Sequence, residues 1–138
     1  MAFSQYLADK VLVWIKGTTF PTALSTVYVT LHSGDPGTAG SANNVQSSIV
    51  SGGARTAITT STLSAVTSAA GGGFQVTNNN SVQITTSSTG SATVTHFGVW
   101  DASSSGNFLA SGALTSSVDV VTGDTVQFNA GALAIRLL

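Results

Sequence analysis

What most limits this chain is its rhythm. Short alternating runs of apolar and hydroxyl-bearing residues recur throughout, cut apart by turns rich in Gly, Ser and Asn. Residues 25–32 put Val27, Val29 and Leu31 on one face and Thr26, Tyr28 and Thr30 on the other, the period of a half-buried strand. Residues 55–61, 74–78, 81–86, 93–100, 106–114, 117–121 and 124–129 are the next strand candidates. At the end, Leu133, Ile135 and Leu137 alternate with Ala134, Arg136 and Leu138. Thr122-Gly123 is a two-residue hairpin signal between 117–121 and 124–129, and Asn79-Asn80 divides 74–78 from 81–86. About eight short antiparallel strands at this spacing predict an all-β fold, a β-sandwich or jelly-roll-like domain over residues 22–138.

Ahead of it, residues 1–17 predict one short helix. Ser4 suits the N-cap and Gly17 the position just past the end. Leu7, Val11, Trp14 and Ile15 follow helical spacing and form an apolar stripe. Asp9 early and Lys16 in the last turn suit the helix dipole. A lone helix this short is marginal in water. The stripe must therefore dock on the β-domain or on a partner. Pro21 ends any helical continuation.

A length of 138 residues suits a single domain with one core. With no cysteine, disulfides and thiolate metal sites are excluded. Only 7% of residues are charged: Lys10, Lys16, Arg55, Arg136 and five aspartates, for a net charge of -1. Such a chain has no basic patch for a phosphate backbone, so nucleic acid is not an expected partner. Its longest early apolar run, Val11 to Ile15, is far below a membrane span, so no membrane partner is expected either. That run is also short for a signal-peptide core, which points to synthesis in the cytoplasm. A surface built from Ser and Thr rather than charge is poorly protected against association.

Catalytic signals are thin. His32 and His96 fall on strand candidates, where histidine more often serves as a structural hydrogen-bonder. There is no G-x-S-x-G elbow, and the five scattered aspartates suit turns better than a paired-acid cleft. Asp101-Ala102-Ser103-Ser104-Ser105-Gly106 begins like a calcium loop, but its twelfth position is Gly112 and a turn is the better reading. Trp14 and Trp100 read as packing anchors. No cofactor, metal or catalytic residue is expected. The long loop 33–53 carries the turn signal Asp35-Pro36-Gly37 and is unusually long for a compact domain. It joins the helix as a candidate attachment surface. The candidate interface residues are Leu7, Val11, Trp14, Ile15, Asp35, Pro36 and Asn44.

Several stretches, taken in order, resemble a family of small structural proteins of the tailed-phage virion. They begin with Met1-Ala2-Phe3-Ser4 and Tyr6-Leu7, then Leu31-His32-Ser33-Gly34-Asp35-Pro36-Gly37, Ala39-Gly40 and Asn44-Val45. Ser51-Gly52-Gly53-Ala54-Arg55 follows. The most specific stretch runs from Val94-Thr95-His96-Phe97-Gly98-Val99-Trp100-Asp101-Ala102 through Gly106-Asn107-Phe108-Leu109 to Gly112-Ala113-Leu114. Gly123-Asp124-Thr125, Phe128 and Ala130-Gly131 complete it. The match is weakest over residues 60–90, where a Ser/Thr/Asn-rich variable surface would fit.

The resemblance implies a non-enzymatic virion component. Compact size, low charge and the lack of a shaft repeat favour a capsid cement or decoration protein on the capsid surface. Its expected partners are the major capsid protein and itself, as a homo-oligomer such as a trimer. The alternative is a tail-fibre or adhesin subunit that contacts the host surface.

Overall fold

In the computed structural model, which describes residues 3–86 and 90–137, the alternation of residues 25–32 becomes strand β1, Thr26–His32. Its Val27, Val29 and Leu31 enter the core as a row. Each faces an apolar partner across the sheet: Val27 opposite Ile58, Val29 opposite Val99, and Leu31 opposite Phe97. Such cross-strand pairs are the unit of sheet stabilisation.

Around this row lie α1 (Gln5–Ile15), α2 (Gln46–Ile49), β2 (Thr56–Thr59), β3 (Thr67–Ser68), β4 (Phe74–Thr77), β5 (Val82–Thr85), β6 (Ala92–Trp100), β7 (Phe108–Val120), β8 (Thr125–Phe128) and β9 (Ala134–Leu137). The strands form three antiparallel sheets, ordered β2-β1-β6-β7, β3-β4-β9 and β5-β8. One face of the four-stranded sheet packs on Ile84, Val126 and Phe128 of the β5-β8 ribbon, on Leu133, and on Ile49 and Val50 at α2. The fold is thus all-β and sandwich-like with a leading helix.

Several strand assignments change in detail. Residues 106–114 and 117–121 are not separate strands but parts of β7. Thr122-Gly123 does not close a hairpin, because β8 pairs with β5 instead of β7. Asp124 tightens that turn by accepting the Val121 amide at 3.0 Å. Likewise β4 and β5 are not hairpin partners: β4 pairs with β3 and β9. The break falls at Asn78, which is buried. Its Nδ2 donates to the carbonyls of Asn80 and Asn129, and its Oδ1 accepts the Leu133 amide. One side chain therefore ties the end of β4 to the approach to β9. Leu138, at the end of the predicted terminal alternation, and Met1 and Ala2 lie outside the described residues, as do residues 87–89 of the predicted variable span.

The β6–β7 register slips between Val94 and His96: Val94 pairs with Val118 but His96 with Ala113, so β7 carries the extra residues. Strict alternation would put these two on the same face, but across the slip Val94 enters the core while His96 stays half-buried.

The long loop after β1 is folded rather than free. β2 stops at Val29, leaving the backbone of Leu31 without a strand on that side. Gln46 takes the strand's place: its Oε1 accepts the Leu31 amide at 2.9 Å, and the Val45 amide donates to the Leu31 carbonyl at 3.1 Å. Buried backbone groups must be paired, and a side chain here does the work of a ladder.

Candidate interaction surface

α1 begins as its sequence predicts. Ser4 is buried and its hydroxyl accepts the Leu7 amide at 3.0 Å, while Gly17 past the other end takes φ +101°, a conformation that favours glycine. Lys16 caps the helix instead of lying within its last turn. The Gln5 amide donates to the Thr38 carbonyl, so the first turn sits on the long loop, and the helix packs against β7.

The predicted apolar stripe divides. Leu7 and Val11 are half-buried against the domain. Trp14 and Ile15 project beyond it with Leu12. Trp14 is therefore no core anchor. Its ring meets Phe20 edge-on, with centroids 6.3 Å apart. Next to Phe20 lies a cleft of about 390 Å³ whose lining includes Tyr6, Leu7, Pro21, Leu24, Leu109 and Asp101. A second, smaller apolar patch on β4 and β9 exposes Phe74 next to Val66 and Leu137.

The loop residues named from sequence serve mainly to build the loop. Asp35 accepts the Gly37 amide at 2.8 Å, Pro36 is buried, and the Asn44 side chain accepts the Gln46 amide at 2.9 Å. Asp35 and Asn44 remain exposed, and Asn43, next to Asn44, donates its side-chain amide to the Asp35 carbonyl at 2.9 Å.

Beneath the loop is a polar chain. Trp100 Nε1 donates to Thr30 Oγ1 at 3.1 Å, Thr30 Oγ1 lies 2.8 Å from His32 Nε2, and His32 Nδ1 lies 2.8 Å from the Ala42 carbonyl. A carbonyl only accepts, so Nδ1 carries the proton. Nε2 is then bare and accepts the Thr30 hydroxyl, which in turn accepts the indole N–H. Both ring nitrogens are hydrogen-bonded. Gly98 makes room for the chain: a Cβ there would stand 2.7 Å from Thr30 Oγ1 and 3.1 Å from His32 Nε2. Arg55 stacks over Trp100 at 3.9 Å and donates to the carbonyls of Ala102 and Ser105. Burial lowers its pKa, with Asp101 opposing. Asp101 holds the β6–β7 turn by accepting from the amide and side chain of Asn107. The residues that began like a calcium loop are a clamped turn.

Burial lowers the His32 pKa below its ordinary 6.5, partly offset by the Ala42 carbonyl. Facing charges are minor: His96 across the strand lowers it further, and Asp35 raises it. The unfolded chain thus takes up a proton before the folded one. Stability should be flat above pH 6.5 and fall as pH drops from there toward the folded pKa, with a slope approaching about 1.4 kcal/mol per pH unit. Urea midpoints at pH 7.5 and 5.5 check this. A wild-type midpoint independent of pH, or a slope retained in His32→Asn, would contradict it.

Sequence reasoning missed the role of Gln46, Asn78 and Arg55. Their partners lie 15, 55 and 50 residues away at the furthest, and no local spacing announces such pairs.

No curated protein matches the chain. A family model described as "Podophage GP4 fiber I protein gp80" matches residues 2–136, nearly the full length, and carries the earlier resemblance beyond its scattered motifs. The chain belongs to this family of structural proteins of the phage virion.

Proposed function

We propose that the chain is a non-enzymatic subunit of a phage fibre, and that it acts by assembling into the particle rather than by turning over a substrate. The family match over residues 2–136 carries this reading. It favours the fibre alternative over the capsid cement role that compactness and low charge suggested first, and it moves the expected location from the capsid surface to a fibre.

The site chemistry is consistent with a structural role. Every aspartate has a local partner: Asp9 with Lys10, Asp35 with the Gly37 amide, Asp101 with Asn107, Asp119 with Thr93, and Asp124 with the Val121 amide. His32 is committed on both nitrogens. These groups fix turns and strands, so they support rigidity rather than acid–base work. Locating the chain on intact virions tests the proposal: label at the fibres supports it, and label spread over the head overturns it.

A further inference from the structure

We propose that residues 33–43 form a pH-sensitive clasp on α1: a second proton on the His32 ring favours lifting of this lobe from the end of β1, which releases the first turn of the helix while the sandwich stays folded. The inference is independent of where on the virion the chain sits.

The lobe is lightly held. At its base the Ser33 amide donates to the Asn43 carbonyl at 2.9 Å, the Val45 amide to the Leu31 carbonyl at 3.1 Å, and His32 Nδ1 to the Ala42 carbonyl at 2.8 Å. Its turns close on themselves, through the Ala42 amide on the Pro36 carbonyl and the Asn43 side chain on the Asp35 carbonyl. Within it only Pro36 and Gly40 are buried. A segment with so few buried groups belongs to the low-stability end of a fold and can open as a unit. Its outer edge carries the helix. The Gln5 amide donates to the Thr38 carbonyl at 3.1 Å, and α1 has no fully buried residue of its own.

Beneath the lobe the hydrogens run one way. Trp100 Nε1 donates to Thr30 Oγ1, the Thr30 hydroxyl donates to His32 Nε2, and Nδ1 donates to Ala42. Each link holds one hydrogen. A proton added at Nε2 meets the Thr30 hydrogen head-on. Thr30 must then turn its hydrogen away, and among the described residues Oγ1 has no further polar partner to receive it. Thr30 is 2% exposed and His32 0%, so water does not receive it either. An unpaired buried donor and a buried charge are both costly. Lifting the lobe gives both groups water.

Neighbouring charges do not remove this conflict. His96 on β6 stands opposite His32 and disfavours a charge there, while Asp35 in the lobe favours one more weakly. Arg55 is one step removed, over Trp100. Neither α2 nor β2 carries a titratable residue, and Asp119, the one on β7, is held by Thr93.

Hydrogen exchange on the full chain at pH 7.5 and 5.5 tests this, with rates corrected for the intrinsic effect of pH. The probes are the amides of Ser33, Ala42, Val45 and Gln5, compared with those of the β1–β6 ladder. At both pH values the probes should exchange faster than the ladder, through an opening smaller than global unfolding. Opening places His32 in water, where its pKa is 6.5, so acidification should speed probe exchange by a factor approaching about ten. His32→Asn should abolish that gain. Should this variant fail to fold, the wild-type ring makes the assignment: the rise in probe exchange should level off at the pH where the His32 ring titrates by NMR. Probes that exchange only at the ladder's rate overturn the proposal, because the lobe then opens only with the whole domain. So does a gain under about twofold, a gain kept in folded His32→Asn, or a plateau away from the ring's titration. A lobe that opens while Gln5 stays protected overturns the clasp on α1.

Discussion

Phe97→Ala should destabilise the protein by about 3–5 kcal/mol, the usual cost of emptying a fully buried aromatic site. Phe97 is among the largest buried side chains, 1% exposed. It stands opposite Leu31 on β1 and Gly112 on β7, so it spans three strands of the main sheet. Its ring lies over Gly112, where a Cβ would come within 2.5 Å of Cζ. The position has been shaped around the ring from both sides. Truncation leaves a cavity that neither the Gly112 backbone nor the strand pairing can close. Urea denaturation reads the effect as a lower midpoint with an unchanged slope. A loss under about 1 kcal/mol would mean that the site collapses easily and that the sheet is not organised around this ring.

Asn78→Ala should cost about 3 kcal/mol, a large effect for a small polar residue. Asn78 is 2% exposed, and its side chain makes three hydrogen bonds. Removing it leaves the Leu133 amide and the Asn80 and Asn129 carbonyls without that partner, and a buried unpaired group costs roughly 1–3 kcal/mol. Access of water to the carbonyls limits the total. Asn78→Asp separates geometry from charge. The carboxylate keeps an acceptor for the Leu133 amide but turns a second oxygen on two carbonyls. It should therefore be at least as damaging as alanine at neutral pH. A well-tolerated aspartate would show that the two donated bonds matter little. Hydrogen exchange adds a local readout, since amides near 131–133 should lose protection first.

How much of this was legible in the sequence depends on distance along the chain. Val27, Val29 and Leu31 announced β1 and its buried face, because alternation is local and burial on one side enforces it. Ser4 and Gly17 marked the ends of α1 because caps are made by adjacent residues. Pairing was not legible. β8 chooses β5 over the nearer β7, and that choice rests on Val126 and Phe128 meeting Ile84 and Val82 across forty residues of chain. The register slip between Val94 and His96 was hidden for the same reason, since it depends on the extra residues of β7. For the interaction surface, the stripe of Leu7, Val11, Trp14 and Ile15 was visible, but its division was not. The β-domain reaches only the first part of the helix, and that follows from where the loop carrying Thr38 folds. The loop itself looked like an attachment arm because its length is unusual. It is pinned by Gln46 and His32, side chains whose partners only the fold supplies.

Function followed a similar path. Sparse charge and hydroxyl-rich strands fit either a cement protein or a fibre subunit, since both are defined by what they touch rather than by chemistry they perform. The distinction rests on position in the particle. Cryo-electron microscopy of intact virions, with an antibody fragment against this chain as a fiducial, measures that position directly. The fibre account predicts added density confined to fibres of the tail assembly, with the head surface unchanged. Density repeating over the capsid lattice would contradict it and return the chain to the role of a shell component.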